Sequence, residues 1–361
     1  MRAAVMRDKK LVVADIPVPE PGPGEVIVKT LACGICGSDL HALKHAEKMV
    51  ESSKRAGAAF VMDLKRDIVM GHEFCAEVAD YGPGTQKRLK AGTRVCSFPV
   101  LIRSTGIETV GYSNENPGGY GEFMRLTEAL LLEVPNGLST ERAALTEPMA
   151  VGFHAVQKAH LTPDDAPLVI GCGPVGLAVI AALKLKGQHP IVAADFSPRR
   201  RELALKMGAD FVVDPKEKSA YESWKQVATY SDPSKAPPVQ PWMPGPALRP
   251  SVIFECVGVP GVIASIMSGA QSAARIIVVG VCMERDSFEP MLGITKELNV
   301  QFVLGYTPEE FGQTLFNIAE GKTIADPLIT GKVGVEGVAQ AFEDLGSPEH
   351  HAKILVEPWR S

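Results

Sequence analysis

The sequence contains no apolar run long enough to span a bilayer, no dense block of lysine and arginine, and no second pair of closely spaced cysteines. The first absence leaves no candidate for a membrane-spanning helix. The second, with a formal net charge of -5, leaves no electrostatic reason to expect nucleic acid or an anionic membrane as a partner. The opening residues, Met1-Arg2-Ala3-Ala4, lack the apolar core of a signal peptide. Seven cysteines, odd in number and scattered through separate motifs, do not make a disulfide framework, so a reducing cytoplasm is the expected location. Cys33 and Cys36 form one Cys-x-x-Cys. Without a second pair no four-thiolate zinc site closes, and the alternating strand before it is not a thioredoxin-like setting.

What the chain does carry lies in two places. The first follows the apolar run Leu168-Val169-Ile170, where Gly171-Cys172-Gly173-Pro174-Val175-Gly176 spells G-x-G-x-x-G. It opens residues 177–186, apolar at helical spacing with alanine in the gaps. In such a strand–turn–helix, Gly171 allows the tight turn, Gly173 lets a pyrophosphate approach the backbone, and Gly176 lets helix pack closely on strand. The free N–H groups of the first helical turn, which holds Pro174 and Val175, face the phosphates. Residues 190–194 form the next strand and run into Asp195, placed to accept hydrogen bonds from the adenosine ribose. Ser197-Pro198 reads as an N-cap with proline at the first helical position. The bland alternative is a glycine-rich turn of some other βαβ unit, with Asp195 a solvated strand end. Both features standing in register favour a dinucleotide domain. Asp195 selects NAD, because a carboxylate at the ribose repels a 2′-phosphate. Arg199, Arg200 and Arg201 are of the kind that accommodates NADP, so NAD is expected with Arg200 at the cofactor.

The α/β alternation continues beyond, with strands expected at 211–213, 252–257 and 276–279 and a helix over 261–271, which predicts a doubly wound parallel sheet. Residues 1–35 and 122–134 read as strands of another domain, to which the chain returns from about 306. The expected division is 1–150 with 306–361, and 151–305, in a chain of 361 residues, long enough for two domains. Residues 42–68 read as a charged insertion, partly helical and mostly facing solvent, and 97–120 as irregular. From 231 to 250 seven prolines fall among polar residues, which makes a surface loop.

The second place is dispersed. Cys36, His72, Glu73 and Glu147 offer a thiolate, an imidazole and carboxylates, a mixed donor set typical of catalytic rather than structural zinc. Spacing alone leaves Cys36 equally readable as a buried small apolar residue, His72 as a satisfied core histidine and Glu147 as a helix-surface charge.

Together these motifs resemble the zinc-dependent medium-chain alcohol and polyol dehydrogenases, essentially end to end. In order they are Cys-Gly-Ser-Asp-x-His at 36–41, Gly-His-Glu at 71–73, Gly-x-Arg-Val at 92–95 and Glu-Pro at 147–148. The glycine pattern at 171–176, Asp195 and Phe-Glu-Cys-Val-Gly at 254–258 complete the set. The resemblance implies an α/β protein: a GroES-like β-rich catalytic domain with a Rossmann domain inserted. It implies one catalytic zinc per chain on Cys36, His72 and an acid, with Glu73 and Glu147 both candidates, one bound directly and the other directly or through water. Asp39 would orient the metal-binding histidine, Ser38 and His41 would relay a proton, and Val257, Val279 and Val281 would lie near the nicotinamide. The expected activity is hydride transfer between a secondary alcohol or polyol, or the matching ketone, and NAD. The enzyme is expected to act on small molecules as a homodimer or homotetramer.

In one respect the chain departs from many relatives. Where they hold a structural zinc on four close cysteines, residues 96–120 have only Cys96, so no structural zinc is expected. Apolar Phe98, Pro99 and Val100 lean toward a secondary alcohol, and the Glu147 type of metal site toward a polyol. Two rival readings stand beside this one: a zinc-free quinone or enone reductase of the same superfamily, and a non-catalytic nucleotide-binding protein on this fold. The first should lack the Cys36 and His72 pair, and the second has no use for the whole set.

Overall fold

The computed structural model describes residues 1–58, 61–135, 137–230, 232, 234, 236 and 247–360. The chain divides into two compact units, Met1–Pro148 with Thr307–Ser361, and Met149–Tyr306. In the first, apolar and β-branched runs make strands because alternate side chains reach a packed face. β1 (Arg2–Arg7) pairs antiparallel with β2 (Lys10–Asp15). β3 (Glu25–Gly34), buried along nearly its whole length, leads to α1 (Gly37–Lys44) and α2 (Ala46–Arg55). Then come β4 (Glu73–Tyr81), β5 (Arg94–Ser97), β6 (Val100–Arg103), β7 (Gly106–Thr109), β8 (Phe123–Thr127) and β9 (Leu131–Glu133). Two helices follow, α3 (Thr140–Ala144) and α4 (Thr146–Lys158).

One of two segments differs from expectation here. Residues 42–68 are partly helical and mostly exposed, as expected, but they also anchor to the core: Ala42, Ala46, Met62 and Ile68 are buried, and Met49, Val50 and Leu64 pack beside them. Residues 97–120 are not wholly irregular, since β6 and β7 form an antiparallel hairpin with Ile102 opposite Ile107. Polar side chains hold the hairpin down. Arg103 donates to Glu25 at 2.7 Å and to Glu108 at 2.8 Å, and Asn116 donates to Glu108 at 3.0 Å.

The second unit begins with β10 (Ala166–Ile170) and α5 (Pro174–Leu185), then β11 (Val192–Ala194), α6 (Pro198–Met207), β12 (Phe211–Val213) and α7 (Ala220–Ala228). The proline-rich stretch expected as a loop at 231–250 lies largely outside the described residues. After it come β13 (Ser251–Glu255), α8 (Val262–Gly269), β14 (Arg275–Val278), α9 (Pro290–Thr295) and β15 (Asn299–Phe302). All six strands are parallel, in the order β12-β11-β10-β13-β14-β15. This is the doubly wound order whose switch point falls between β10 and β13, where ligands bind at the carboxyl ends of the strands.

The chain returns to the first unit through α10 (Pro308–Ala319), β16 (Ile329–Val333), α11 (Val338–Leu345) and β17 (Lys353–Val356). There β17 joins the sheet beside β3, giving the order β16-β17-β3-β4-β5-β9 with β8 also on β3. Among the described residues no helix is long and apolar enough to cross a membrane.

Candidate active site

The end of β3 and the start of β4 build the site. Antiparallel pairing sets Gly34 opposite Glu73, so Cys36, two residues beyond the strand, comes to the same end as His72. Cys36 is the N-cap of α1, and Asp39 at the third helical position reaches back so that its Oδ2 accepts from the Cys36 N–H at 3.0 Å. The Cys-Gly-Ser-Asp run is thus half of a capping box as well as a chemical motif. Gly34 is required by its neighbour: a Cβ there would lie 2.1 Å from Glu73 Oε2. Donor atoms of Cys36, His72 and Glu73 all lie within 4.8 Å of one another. Glu147, buried in the first turn of α4, is not in that set but is close enough to act electrostatically on Lys353.

Three residues at the site carried no motif. Lys353, at the start of β17, donates to both oxygens of Glu73 at 2.6 and 2.7 Å and to the Ile35 carbonyl at 3.0 Å. Burial opposes its charge, yet Glu73, Cys36 and Glu147 hold its pKa above that of an ordinary lysine. Tyr120 donates to Asp39 Oδ2 at 2.6 Å, and the Tyr112 hydroxyl lies 2.7 Å from Asp39 Oδ1 and 2.9 Å from Ser38 Oγ. The only signal for Lys353 was a lysine heading an otherwise apolar strand. For the tyrosines it was aromatic hydroxyls in a stretch otherwise rich in glycine and asparagine. Asp39 faces His72 Nδ1 at 3.4 Å. Burial works against the Asp39 charge, but His72 and the hydrogen bonds it accepts outweigh burial, and its pKa falls below the usual carboxylate value.

The donor set fits a zinc ion. Burial, and then Glu73, push the Cys36 thiol above its ordinary pKa, because a second anion in that pocket is unfavourable. A divalent cation reverses that balance and makes the thiolate the stable form. Thiolate, imidazole and carboxylate with one position left over is the composition of a catalytic zinc site. In residues 96–120 the one cysteine, Cys96, is buried with its thiol on the Ala143 carbonyl at 3.2 Å. Of the expected relay pair, Ser38 contacts Tyr112, while His41, one turn further along α1, stacks on His45 with ring centroids 6.2 Å apart.

In the second unit, the carboxyl ends of β10, β11 and β13 carry the glycine-rich turn and Asp195. Gly171 has φ +91°, and a Cβ on Gly176 would lie 1.9 Å from the Gly171 carbonyl oxygen, so the turn and the helix that follows it admit no side chain at either place. Pro174 is the first residue of α5, followed by Val175, and a Cβ on Gly173 would meet only the Arg200 guanidinium, at 3.9 Å. That open backbone at a helix N-terminus fits a pyrophosphate. Asp195 directly follows β11, with Oδ2 accepting from Cys172 N and Oδ1 from Ser197 N, both at 2.8 Å. Ser197 caps α6 by accepting from Arg200 N, and Arg200 Nη1 stands 3.9 Å from Asp195 Oδ2. Arg201 is engaged instead with Asp214 and with the carbonyls of Asp195 and Phe196. Val257 and Val281 are exposed after β13 and β14, and Val279 is buried.

Comparison with known proteins gives the same outline. Residues 22–136 match the family described as alcohol dehydrogenase GroES-like domain, and residues 174–320 match zinc-binding dehydrogenase. The chain is 31% identical over 368 residues to (R,R)-butanediol dehydrogenase of Bacillus subtilis, covering 99% of this chain and all of that one. It is 29% identical over 339 residues to sorbitol dehydrogenase of Bos taurus, covering 91% of this chain and 87% of the relative. The crystal structure of 2R,3R-butanediol dehydrogenase from Bacillus subtilis superposes with a TM-score of 0.79 over 99% of both chains, at 29% identity.

Proposed function

The chain belongs to the zinc-dependent medium-chain dehydrogenase/reductase family, and on that premise we propose that it oxidises a secondary alcohol, a vicinal diol or short polyol, to the ketone with NAD. The observation that carries this reading is the cluster of Cys36, His72 and Glu73, with donor atoms within 4.8 Å of one another beside Ser38. Cys36, His72 and an acid, Glu73 or Glu147, would hold the zinc. When bound, zinc supplies a Lewis acid that lowers the pKa of an alcohol, and NAD supplies the hydride acceptor. The chain's own residues do the rest. Asp39 orients the His72 ring. Ser38, half-buried at the start of α1, accepts the proton of the substrate hydroxyl, and His41 holds it on its way to solvent. Gly171, Gly173, Pro174, Val175 and Gly176 bind the pyrophosphate. Asp195 and Arg200 bind the adenosine ribose, while Val257, Val279 and Val281 line the nicotinamide.

The test is zinc per chain by elemental analysis, on wild type and Cys36→Ser, with turnover on 2,3-butanediol, sorbitol and simple secondary alcohols. One zinc per chain, lost in the variant together with at least about a hundredfold in kcat/KM, supports the reading. Active protein without zinc overturns it in favour of a zinc-free reductase, and NADH binding without turnover favours a non-catalytic role.

Assembly belongs to the same reading. Among the described residues β15 is paired only on its β14 side and closes one edge of the parallel sheet, and Phe302 and Leu304 are 68% and 90% exposed. An open edge flanked by exposed apolar side chains can pair with another strand. A second copy of the chain, related by a twofold axis, satisfies both edges at once. Phe302→Glu should give a monomer by light scattering, with a dimer or tetramer in the wild type. The seven unbridged cysteines fit a reducing cytoplasm.

A further inference from the structure

The hydroxyls around Asp39 can be assigned by counting donors and acceptors. Asp39 Oδ2 already accepts two hydrogens, from Tyr120 Oη at 2.6 Å and from Cys36 N at 3.0 Å. Asp39 Oδ1 faces His72 Nδ1 at 3.4 Å and the Tyr112 hydroxyl at 2.7 Å. A carboxylate so surrounded is an acceptor only. The single hydrogen of the Tyr112 hydroxyl therefore points at Asp39; turned the other way, it would set oxygen lone pairs against each other at 2.7 Å. Its oxygen is left to accept, and the neighbour at 2.9 Å is Ser38 Oγ, which must donate. While an alcohol binds, the hydrogen of Ser38 rests on Tyr112 and its free lone pairs are what the ligand meets; it leaves Tyr112 only as Ser38 takes up the substrate proton.

We propose that Tyr112 is a positioning residue that fixes the hydrogen-bond polarity of Ser38, making it an acceptor for the O–H of an alcohol rather than a donor to a carbonyl. The inference rests on the reading of Ser38 given above and adds the group that sets its direction. The ring of Tyr112 is held for this by His72, with centroids 5.2 Å apart, and by the loop that follows the β6–β7 hairpin. The region with no cysteines for a structural zinc thus delivers a hydroxyl to the active site instead. The hydrogen-bond chain runs Ser38 to Tyr112 to Asp39, each a donor to the next, and ends on the carboxylate that faces His72.

Tyr112→Phe keeps the ring and removes only the hydroxyl. The probes are a tertiary alcohol, which binds as a hydroxyl donor but has no hydride to lose, and a ketone of the same skeleton, which can only accept. Both are measured as inhibitors of 2,3-butanediol oxidation, in wild type, Tyr112→Phe, Ser38→Ala and the double variant, with cobalt replacing zinc in a parallel set for its absorption spectrum. Tyr112→Phe should weaken the tertiary alcohol about tenfold and the ketone by less. The cobalt bands should stay unchanged, and the double variant should be no worse than Ser38→Ala alone. Equal weakening of both probes, losses that add in the double variant, or shifted cobalt bands would each overturn the inference, because Tyr112 would then act through packing or through His72. Absence of metal-dependent turnover in the wild type would instead overturn the reading of the site itself, and is told apart because it needs no variant.

Discussion

The Nζ of Lys353 lies 2.6 and 2.7 Å from the two oxygens of Glu73, and both side chains are 1% exposed. Removing one partner of such a pair leaves the other charge buried and alone, which costs about 3–5 kcal/mol. Lys353→Met is therefore expected to lose about that much stability in metal-free protein, measured by urea unfolding. With zinc bound the loss should be smaller, because a cation beside Glu73 takes over the compensation. Equal losses with and without zinc would show that the ammonium and the metal do not share this carboxylate.

Asp195 is fixed from both sides, with one oxygen on Cys172 N and the other on Ser197 N. Its negative charge thus stays at the end of β11, with Arg200 3.9 Å away, and at an adenosine ribose, as proposed, it would repel a 2′-phosphate. Asp195→Ser removes the charge and leaves Arg200 without its anion. The ratio of kcat/KM with NADP to that with NAD should rise about tenfold, roughly 1.4 kcal/mol. An unchanged ratio would take Asp195 out of the ribose site.

The parts legible in the sequence are those written in consecutive residues. Gly171 to Gly176 and Asp195 marked a strand–turn–helix and the end of the next strand because each of these is local. Cys36, Ser38 and Asp39 were legible for the same reason, since one helix turn holds them. Lys353 was not. Its partner Glu73 is 280 residues away, and the two meet only because β17 pairs with β3, which pairs with β4. Tyr112 and Tyr120 were missed because they reach Asp39 from a loop whose glycine and asparagine content also hid the β6–β7 hairpin.

That hairpin gives a third prediction. Glu25 is 1% exposed, and its charge is met by Arg103, which also binds Glu108. Among the described residues the region holds Cys96 alone, so these ion pairs do the fastening that close cysteines and a metal do elsewhere. Arg103→Met should cost about 1.5–3 kcal/mol, the scale of hydrogen bonds to a charged group, by thermal or urea unfolding. Zinc content should stay at its wild-type value. Loss of zinc in this variant would mean that the hairpin supports the metal site directly.

His41 is half-buried against His45, and burial, then His45 and Lys44, hold its pKa below 6.5. In the proposed relay a neutral His41 would take the proton that Ser38 passes on. The sign follows from the direction of the shift. Protonation silences an acceptor, and here it occurs only below the ordinary histidine value, so the acid limb of kcat for alcohol oxidation should fall below pH 6.5. The folded state also binds fewer protons than the unfolded chain in that window, so stability should decline as pH drops below 6.5. His45→Gln removes one source of repulsion and should move the limb upward, toward the ordinary value. His41→Gln should abolish the limb and lower kcat at neutral pH about tenfold, since general acid–base assistance is worth that much or more. A limb that stays in place when His41 is glutamine belongs to another group, and the proton then leaves Ser38 by a different route.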